Sequence, residues 1–305
     1  MAKLTTQPAM DLMQMAEAFD TDAECRAYLE DLRWPNGVDC PRCGGTTISR
    51  IKARKVFECD GCAYQFSVTA GTLFHDSHLP LPKWFLAIFL ITESKKGMSA
   101  LQLKRLLKVS YKTAWYLCHR IRNAMAEPNA PQLTGTVEVD ETYVGGKARG
   151  VGRGNYKSRK TMIIAALQRG GDIRMATGAK NDKKTLHGFI KNTVSDAAEN
   201  IYTDGLMSYR GIGDGNTKHE YVDHQDGEYA RGTIHTNTVE GAFGLFKRAI
   251  VGSYHQISVK HIDRYLDEFE FRYNNRKNAY LFRDTLLRLM DKSALPYDKL
   301  TAASA

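Results

Sequence analysis

Asp140, Asp204 and Glu240 combine residue type and placement in a way that suits hard divalent cations. Asp140 lies in TVEVDETYV, an alternating strand whose Val137 and Val139 take the opposite face. Asp204 ends the strand NIYTD, immediately before Gly205, and Glu240 follows after 35 intervening residues, early in a segment with helical spacing. Carboxylate oxygens suit Mg²⁺ or Mn²⁺, which keep waters and accept substrate phosphate as a ligand. Two such ions activate the attacking oxygen and stabilise the leaving one during in-line displacement at phosphorus. Lys247 lies seven residues after Glu240, two turns on and on the same face, where it can hold a phosphate. His235, Asn237 and Arg248 surround that helix as further candidates for contact with DNA or metal. A chain with 34 acidic residues contains many Asp–Asp–Glu triples, so placement rather than type selects this one. Glu138 shares the face of Asp140 and is a candidate extra ligand, whereas Glu141 points to the other face as a structural or solvated acid.

A second metal site is written in cysteine. Cys40, Cys43, Cys59 and Cys62 are spaced C-x2-C-x15-C-x2-C, which brings four thiolates to a tetrahedral Zn²⁺. Four thiolates leave no open coordination position, so this zinc is structural, and in so small a ribbon it supplies the folding energy. Gly44, Gly45 and Gly61 fall where the knuckle turns demand unusual backbone angles. Cys25 and Cys118 lack partners at ligand spacing and read as small core residues; His75 and His78 read as surface or DNA-facing.

The elements that must position these groups form two modules. Residues 11–33 have a helical apolar pattern, broken by WPNG at Trp34 to Gly37. Short strands then carry the cysteines, and the chain from about Pro82 to Met125 reads as helices. Within it, residues 97–122 pattern as a helix-turn-helix: Ser99 caps the first helix, Lys108-Val109 turns the chain and Ser110 caps the second. The second helix carries Lys112, Thr113, Tyr116, His119, Arg120 and Arg122 off its apolar positions, a basic face suited to a DNA groove, with Lys112 and Arg120 as candidate contacts. A linker, EPNAPQLTG, leads into the second module, where strands, a helix, a fourth strand and further helices give a mixed α/β layered domain. The expected boundaries are an N-terminal helical segment at 1–36, a zinc ribbon at 37–78, a helix-turn-helix region at 79–130, a catalytic domain at 131–290 and a tail at 291–305.

Charge points to a phosphate-rich partner. Lys plus Arg exceed Asp plus Glu by 43 to 34, a net charge of +9. Part of that excess is concentrated in one glycine-rich loop that holds Lys147, Arg149, Arg153, Lys157, Arg159 and Lys160 without an acid. Beside a metal site, such a loop is expected to clamp DNA with a grip that weakens in salt. No signal peptide is read at the N-terminus, and the longest apolar run, Trp84 to Ile91, is too short to span a bilayer. A cytoplasmic, nucleoid-associated protein with no membrane partner is expected, a compartment in which six cysteines argue for metal rather than disulfides.

Several motifs are individually specific. LRWPNGVDCPRCGG, FECDGC and FSVTAGTLFHDS resemble the zinc-ribbon N-terminus of bacterial insertion-sequence transposases of the ISXO-like type, and VEVDETYVGGK, IYTDGLMSY and HTNTVEGAFGLFKRAIVGSYHQIS resemble their catalytic domain. The resemblance covers roughly residues 20–280. It implies an RNase H-like fold and a divalent-metal-dependent DDE recombinase acting on terminal inverted repeats. Asp140, Asp204 and Glu240 would be its catalytic acids, holding two Mg²⁺ or Mn²⁺ ions, with Lys247 the basic residue after the Glu. The expected partners are double-stranded DNA, as transposon ends and as target, and further copies of the chain in a homodimer or higher oligomer, because two ends must be brought together. A zinc-ribbon regulator would share the first 130 residues but give the acids no role, and a nuclease of the same fold would cut without joining.

Overall fold

The structure is a computed structural model that describes residues 10–145, 160–213, 216–224 and 226–302. The chain divides into two compact units, one of Met1–Met125 with Lys277–Ala305 and one of Ala126–Arg276. The second compact unit ends at Arg276, short of residue 290, the expected end of the catalytic domain. The segment after it, helical at Leu281–Asp291, packs with the N-terminal helices because Phe282 joins their aromatic core of Phe19, Tyr28 and Phe85.

The first unit contains α1 (Leu12–Ala18), α2 (Asp22–Arg33), a ribbon sheet of β1 (Ile48–Ile51), β2 (Val56–Cys59) and β3 (Gln65–Phe66), then α3 (Leu81–Glu93), α4 (Ala100–Leu107) and α5 (Tyr111–Met125). The helical pattern over residues 11–33 is interrupted between Ala18 and Asp22, where Thr21 and Glu24 form a capping box that starts α2 afresh. The ribbon strands pair antiparallel in the order β1-β2-β3. Ser99 accepts from Gln102 N, Lys108 takes the left-handed turn and Ser110 accepts from Thr113 N, as the helix-turn-helix pattern requires.

The second unit is built on one five-stranded sheet. Its elements are β4 (Leu133–Val144), β5 (Thr161–Gln168), β6 (Ile173–Gly178), α6 (Lys183–Thr193), β7 (Val194–Asp204), β8 (Lys218–Val222), α7 (Asn237–Ala249) and α8 (Ile262–Asn274). The strand order is β6-β5-β4-β7-β8; β4, β5 and β6 run antiparallel, and β7 and β8 run parallel to β4. With helices on both faces, this is an RNase H-like domain. After Lys277, α9 (Leu281–Asp291) and α10 (Tyr297–Thr301) return to the first unit.

The sheet's two faces explain its sequence. Central β5 is buried along MIIAAL because α6 covers one side, against Ile164 and Ala166, and α7 with α8 cover the other, against Ile163, Ala165 and Leu167. The β5–β6 turn places Gly170 at φ +74°, a left-handed conformation that favours glycine. The fifth strand, β8, escapes a pattern reading because KHEYV is a short, polar edge strand with only Val222 buried. Among the described residues no helix is long and apolar enough to cross a membrane.

The α6 side has a test of its own. Leu186 is fully buried between α6 and the sheet. Leu186→Ala is expected to lower the unfolding free energy by about 2–5 kcal/mol, read from denaturant melts of the full chain, while leaving its zinc content unchanged.

Candidate functional site

The ribbon brings its four sulfurs within 4.8 Å of one another, with Cys40 and Cys62 at 3.7 Å and Cys43 and Cys59 at 3.6 Å. A tetrahedron with Zn–S bonds of about 2.3 Å has sulfur edges of about 3.8 Å, so the cage fits zinc. Two matched turns build it. Gly44 N donates to Cys40 O and Ala63 N to Cys59 O, each at 2.8 Å, and both residues have positive φ. In the second knuckle the left-handed residue is therefore Ala63, not Gly61. Gly45 has a different role: a Cβ there would meet Cys59 Sγ at 3.3 Å and Cys43 Sγ at 3.4 Å. Behind the cage Trp34, Phe57 and Phe66 form a small aromatic core.

In the second unit the acids gather through strand register. Glu138 pairs with Tyr202 across parallel β4 and β7, so the register carried two residues further sets Asp140 beside Asp204. Neighbouring strands lie roughly 4.8 Å apart. Burial pushes the Asp140 carboxyl up to about 8, helped by Glu141, Asp204 and Glu240 and opposed by Glu141 N, which donates to Asp140 Oδ1 at 2.8 Å. Asp204 is also raised, by burial first and then by Asp223 and Glu240, although Leu206 N and His224 favour its charged form. Glu240 rises from the first turn of α7, where Thr236 Oγ1 donates to its Oε1 at 2.9 Å and His224 Nε2 lies at 3.9 Å. Asp140 and Asp204 thus resist ionisation, and Glu240 acts on both electrostatically; among the described residues the cysteine cage is the group whose ligand atoms already lie at metal-binding spacing.

Other assignments shift. Glu138 is not a spare ligand: fully buried, it accepts from Arg169 Nε and Thr238 Oγ1 on Oε1 and from Thr238 N and Val239 N on Oε2. Its place on the face of Asp140, turned toward α7, makes it an anion at that helix's amino end. His235, expected near DNA or metal, is occupied by Arg169 and Glu138. Glu141 does turn to the opposite face, where Tyr209 Oη and Asn181 Nδ2 donate to it. Its pKa is raised, chiefly by burial. Sequence reasoning missed Arg169, Tyr202 and His224. Arg169 sits inside a Gly-Gly turn, and its only signal was that a buried Glu138 must find a cation.

The basic candidates separate. Lys247 and Arg248 are exposed on α7, in a stripe with Asn237, Glu240 and Gly241. Lys160 is exposed next to the start of β5, whose Thr161 pairs with Val144 at the carboxyl end of β4, the end at which Asp140 sits. Lys147, Arg149, Arg153, Lys157 and Arg159 lie outside the described residues. Lys112 is exposed, with its ammonium 4.3 Å from the ring centre of Tyr297. Arg120 cannot face DNA: it is buried, donates to His75 O at 2.7 Å and lies against the rings of Trp84 and Tyr116. His119 and Arg122 are buried as well, so the expected basic face of α5 shrinks to its first turn. Residue 120 stands three after Leu117 and four before Ala124, which is core spacing on a helix.

The ISXO2-like transposase domain family matches residues 132–274, and the transposase zinc-ribbon family matches residues 20–65. A relative described as an uncharacterized protein in transposable element ISH50 of Halobacterium salinarum is 31% identical over 278 residues, 85% of this chain and 93% of the relative. Among solved structures, the Mos1 strand transfer complex aligns at 12% identity over 68% of this chain and 75% of that one, with a TM-score of 0.31. The pre-cleavage Mos1 transpososome has the same coverage and a TM-score of 0.29. Overlap this loose adds nothing to the reading.

The cysteine cage and the buried Asp140 each give measurable consequences. The protein is expected to purify with one zinc per chain, and Cys43→Ser to lose it and expose the ribbon to proteolysis, as metal analysis and limited digestion would show. At Asp140 the folded pKa stands near 8 against an ordinary value of 3.8. The folded state therefore binds the extra proton between these limits, and stability present below pH 4 is lost as pH rises through 8. In buffer free of Mg²⁺ and Mn²⁺, Asp140→Asn should match its parent near pH 4 and exceed it by up to a few kcal/mol at pH 8, read from denaturant midpoints.

Proposed function

The chain belongs to the family of ISXO2-like DDE transposases, and on that premise we propose that it binds the terminal inverted repeats of an insertion sequence, cleaves a phosphodiester at each end and joins the freed 3′-hydroxyls to target DNA. The observation that carries the reading is the β4–β7 register, which sets Asp140 beside Asp204 with Glu240 close enough to act on both electrostatically. In this reading the three acids hold two Mg²⁺ or Mn²⁺ ions. Held by Asp140, Asp204 and Glu240, such ions would supply acidification of the attacking hydroxyl and positive charge at the phosphate.

The chain's own residues do the rest. Asp140 is disfavoured as an anion by burial, Glu141, Asp204 and Glu240, and Asp204 by burial, Asp223 and Glu240, a cost that a cation held there would relieve. Thr236 orients the Glu240 carboxylate from below the helix. Lys247 and Arg248 continue the exposed stripe of α7 and hold the DNA backbone, with Lys160 and the loop residues Lys147, Arg149, Arg153, Lys157 and Arg159 gripping it from the end of β4. Neither chemical step needs a covalent protein intermediate, since water and then the 3′-hydroxyl are the nucleophiles.

Recognition of the ends falls to the N-terminal regions. The zinc ribbon and the helix-turn-helix bind double-stranded DNA, the latter through the exposed first turn of α5 at Tyr111 and Lys112. Holding two ends for joining makes the working form at least a dimer, acting in the cytoplasm at the nucleoid.

Asp140→Asn is expected to abolish both end cleavage and the joining of pre-cut ends while binding end DNA as the parent does, read by gel assays with Mg²⁺ or Mn²⁺. Cleavage retained in that variant would sink the reading, and a parent that cuts but never joins pre-cut ends would be a nuclease instead.

A further inference from the structure

We propose that Arg169 is the positioning residue of the three acids, setting their mutual geometry through Glu138, Tyr202 and the entry to α7; this rests on the reading of Asp140, Asp204 and Glu240 as the cation-holding set. Arg169 follows β5 directly and lies in none of the elements that carry the acids, yet it touches β4, β7 and the segment that leads into α7. Its Nε donates to Glu138 Oε1 at 2.7 Å, on β4. Its guanidinium carbon lies 4.9 Å from the ring centre of Tyr202, on β7. Nη1 donates to Thr233 O at 2.7 Å and Nη2 to His235 O at 3.0 Å, fixing the segment that leads into α7.

Each contact lies close to an acid in sequence. Glu138 is two residues before Asp140 and Tyr202 two before Asp204, so on strands of period two each shares its acid's face. The Glu138 carboxylate then binds Thr238 N and Val239 N, two residues and one residue before Glu240. Arg169 and Glu138 thus join two strands and a helix at positions from which small shifts pass directly to the acids.

The chemistry of the pair suits alignment better than mere cohesion. A planar guanidinium presents donors in fixed directions, and here the fork serves three separate backbone or carboxylate acceptors while its face meets an aromatic ring. Lysine would keep the charge but could not span those directions. Both Glu138 oxygens are occupied, so the carboxylate cannot swing toward a cation; it can only hold α7 in place. Groups that orient metal ligands in this way typically change metal affinity roughly 10–100-fold when replaced.

The test uses the zinc-loaded full chain and Mn²⁺ alone as the probe, with bound ion counted by electron paramagnetic resonance. The parent should bind Mn²⁺ and Asp140→Asn should not. Arg169→Lys should keep its zinc, its cooperative melt and its affinity for end DNA, yet need about tenfold more Mn²⁺ for half-saturation, with the same rise in the Mn²⁺ needed for end cleavage. Glu138→Gln, which keeps the side chain's shape, should shift the midpoint in the same direction and decides the matter if the Arg169 variant fails to fold. A lowered melting temperature with the parent's Mn²⁺ midpoint would overturn the proposal and leave Arg169 a structural residue. Should the parent bind Mn²⁺ but cut no DNA, the transposase reading fails while the midpoint shift still decides the positioning role. A parent that binds no Mn²⁺ at all removes both.

Discussion

Electrostatic repulsion between carboxylates on neighbouring parallel strands is the constraint around which the second unit is organised. Like charges directly across a strand pair destabilise a sheet, and burial makes each ionised form costlier still. Asp140 feels burial, Glu141, Asp204 and Glu240 at once. A domain that keeps such a set must recover the energy elsewhere. Here it does so with a double-sided apolar sheet, in which β4 and β5 are sealed by α6 on one face and by α7 and α8 on the other. Stability sacrificed at a functional site and supplied by the surrounding scaffold is a common pattern.

The same logic separates the acids into two kinds. Asp140, Asp204 and Glu240 accept from Glu141 N, Leu206 N and Thr236 Oγ1 respectively. Glu138 has its oxygens filled by Arg169, Thr238 and Val239, and Glu141 is held by Tyr209 and Asn181. Five acids of similar type thus divide by hydrogen-bond satisfaction: Glu138 and Glu141 are each held by several donors, and the less satisfied three are the ones proposed to carry chemistry.

The ribbon solves a smaller problem by other means. Its strands bury little beyond Trp34, Phe57 and Phe66, too little to order four knuckle residues without a metal. Mirrored turns at Gly44 and Ala63 show that the cage is defined by backbone geometry and sulfur spacing together. In α5, by contrast, polarity is a poor guide to exposure: Arg120 and Arg122 are buried, and Arg120 uses carbonyl and aromatic partners that lie far away in sequence.

Legible from the residues alone are the features that depend on near neighbours along the chain: the cysteine knuckles, the caps at Ser99 and Ser110, the alternation that turns Asp140 away from Val137 and Val139, and the spacing from Glu240 to Lys247. These follow from fixed periods and short turns. The tertiary structure decided everything that crosses between elements. Register alone brings Asp140 beside Asp204, and a residue in the β5–β6 turn, Arg169, reaches β4, β7 and the segment that leads into α7 together. It also moved Leu281–Asp291 into the first unit through Phe282 and hid β8, whose place at the sheet edge owes more to pairing than to pattern. Periodicity is a property of one segment, whereas convergence of charges is a property of how segments pack, and the chemistry here depends on convergence.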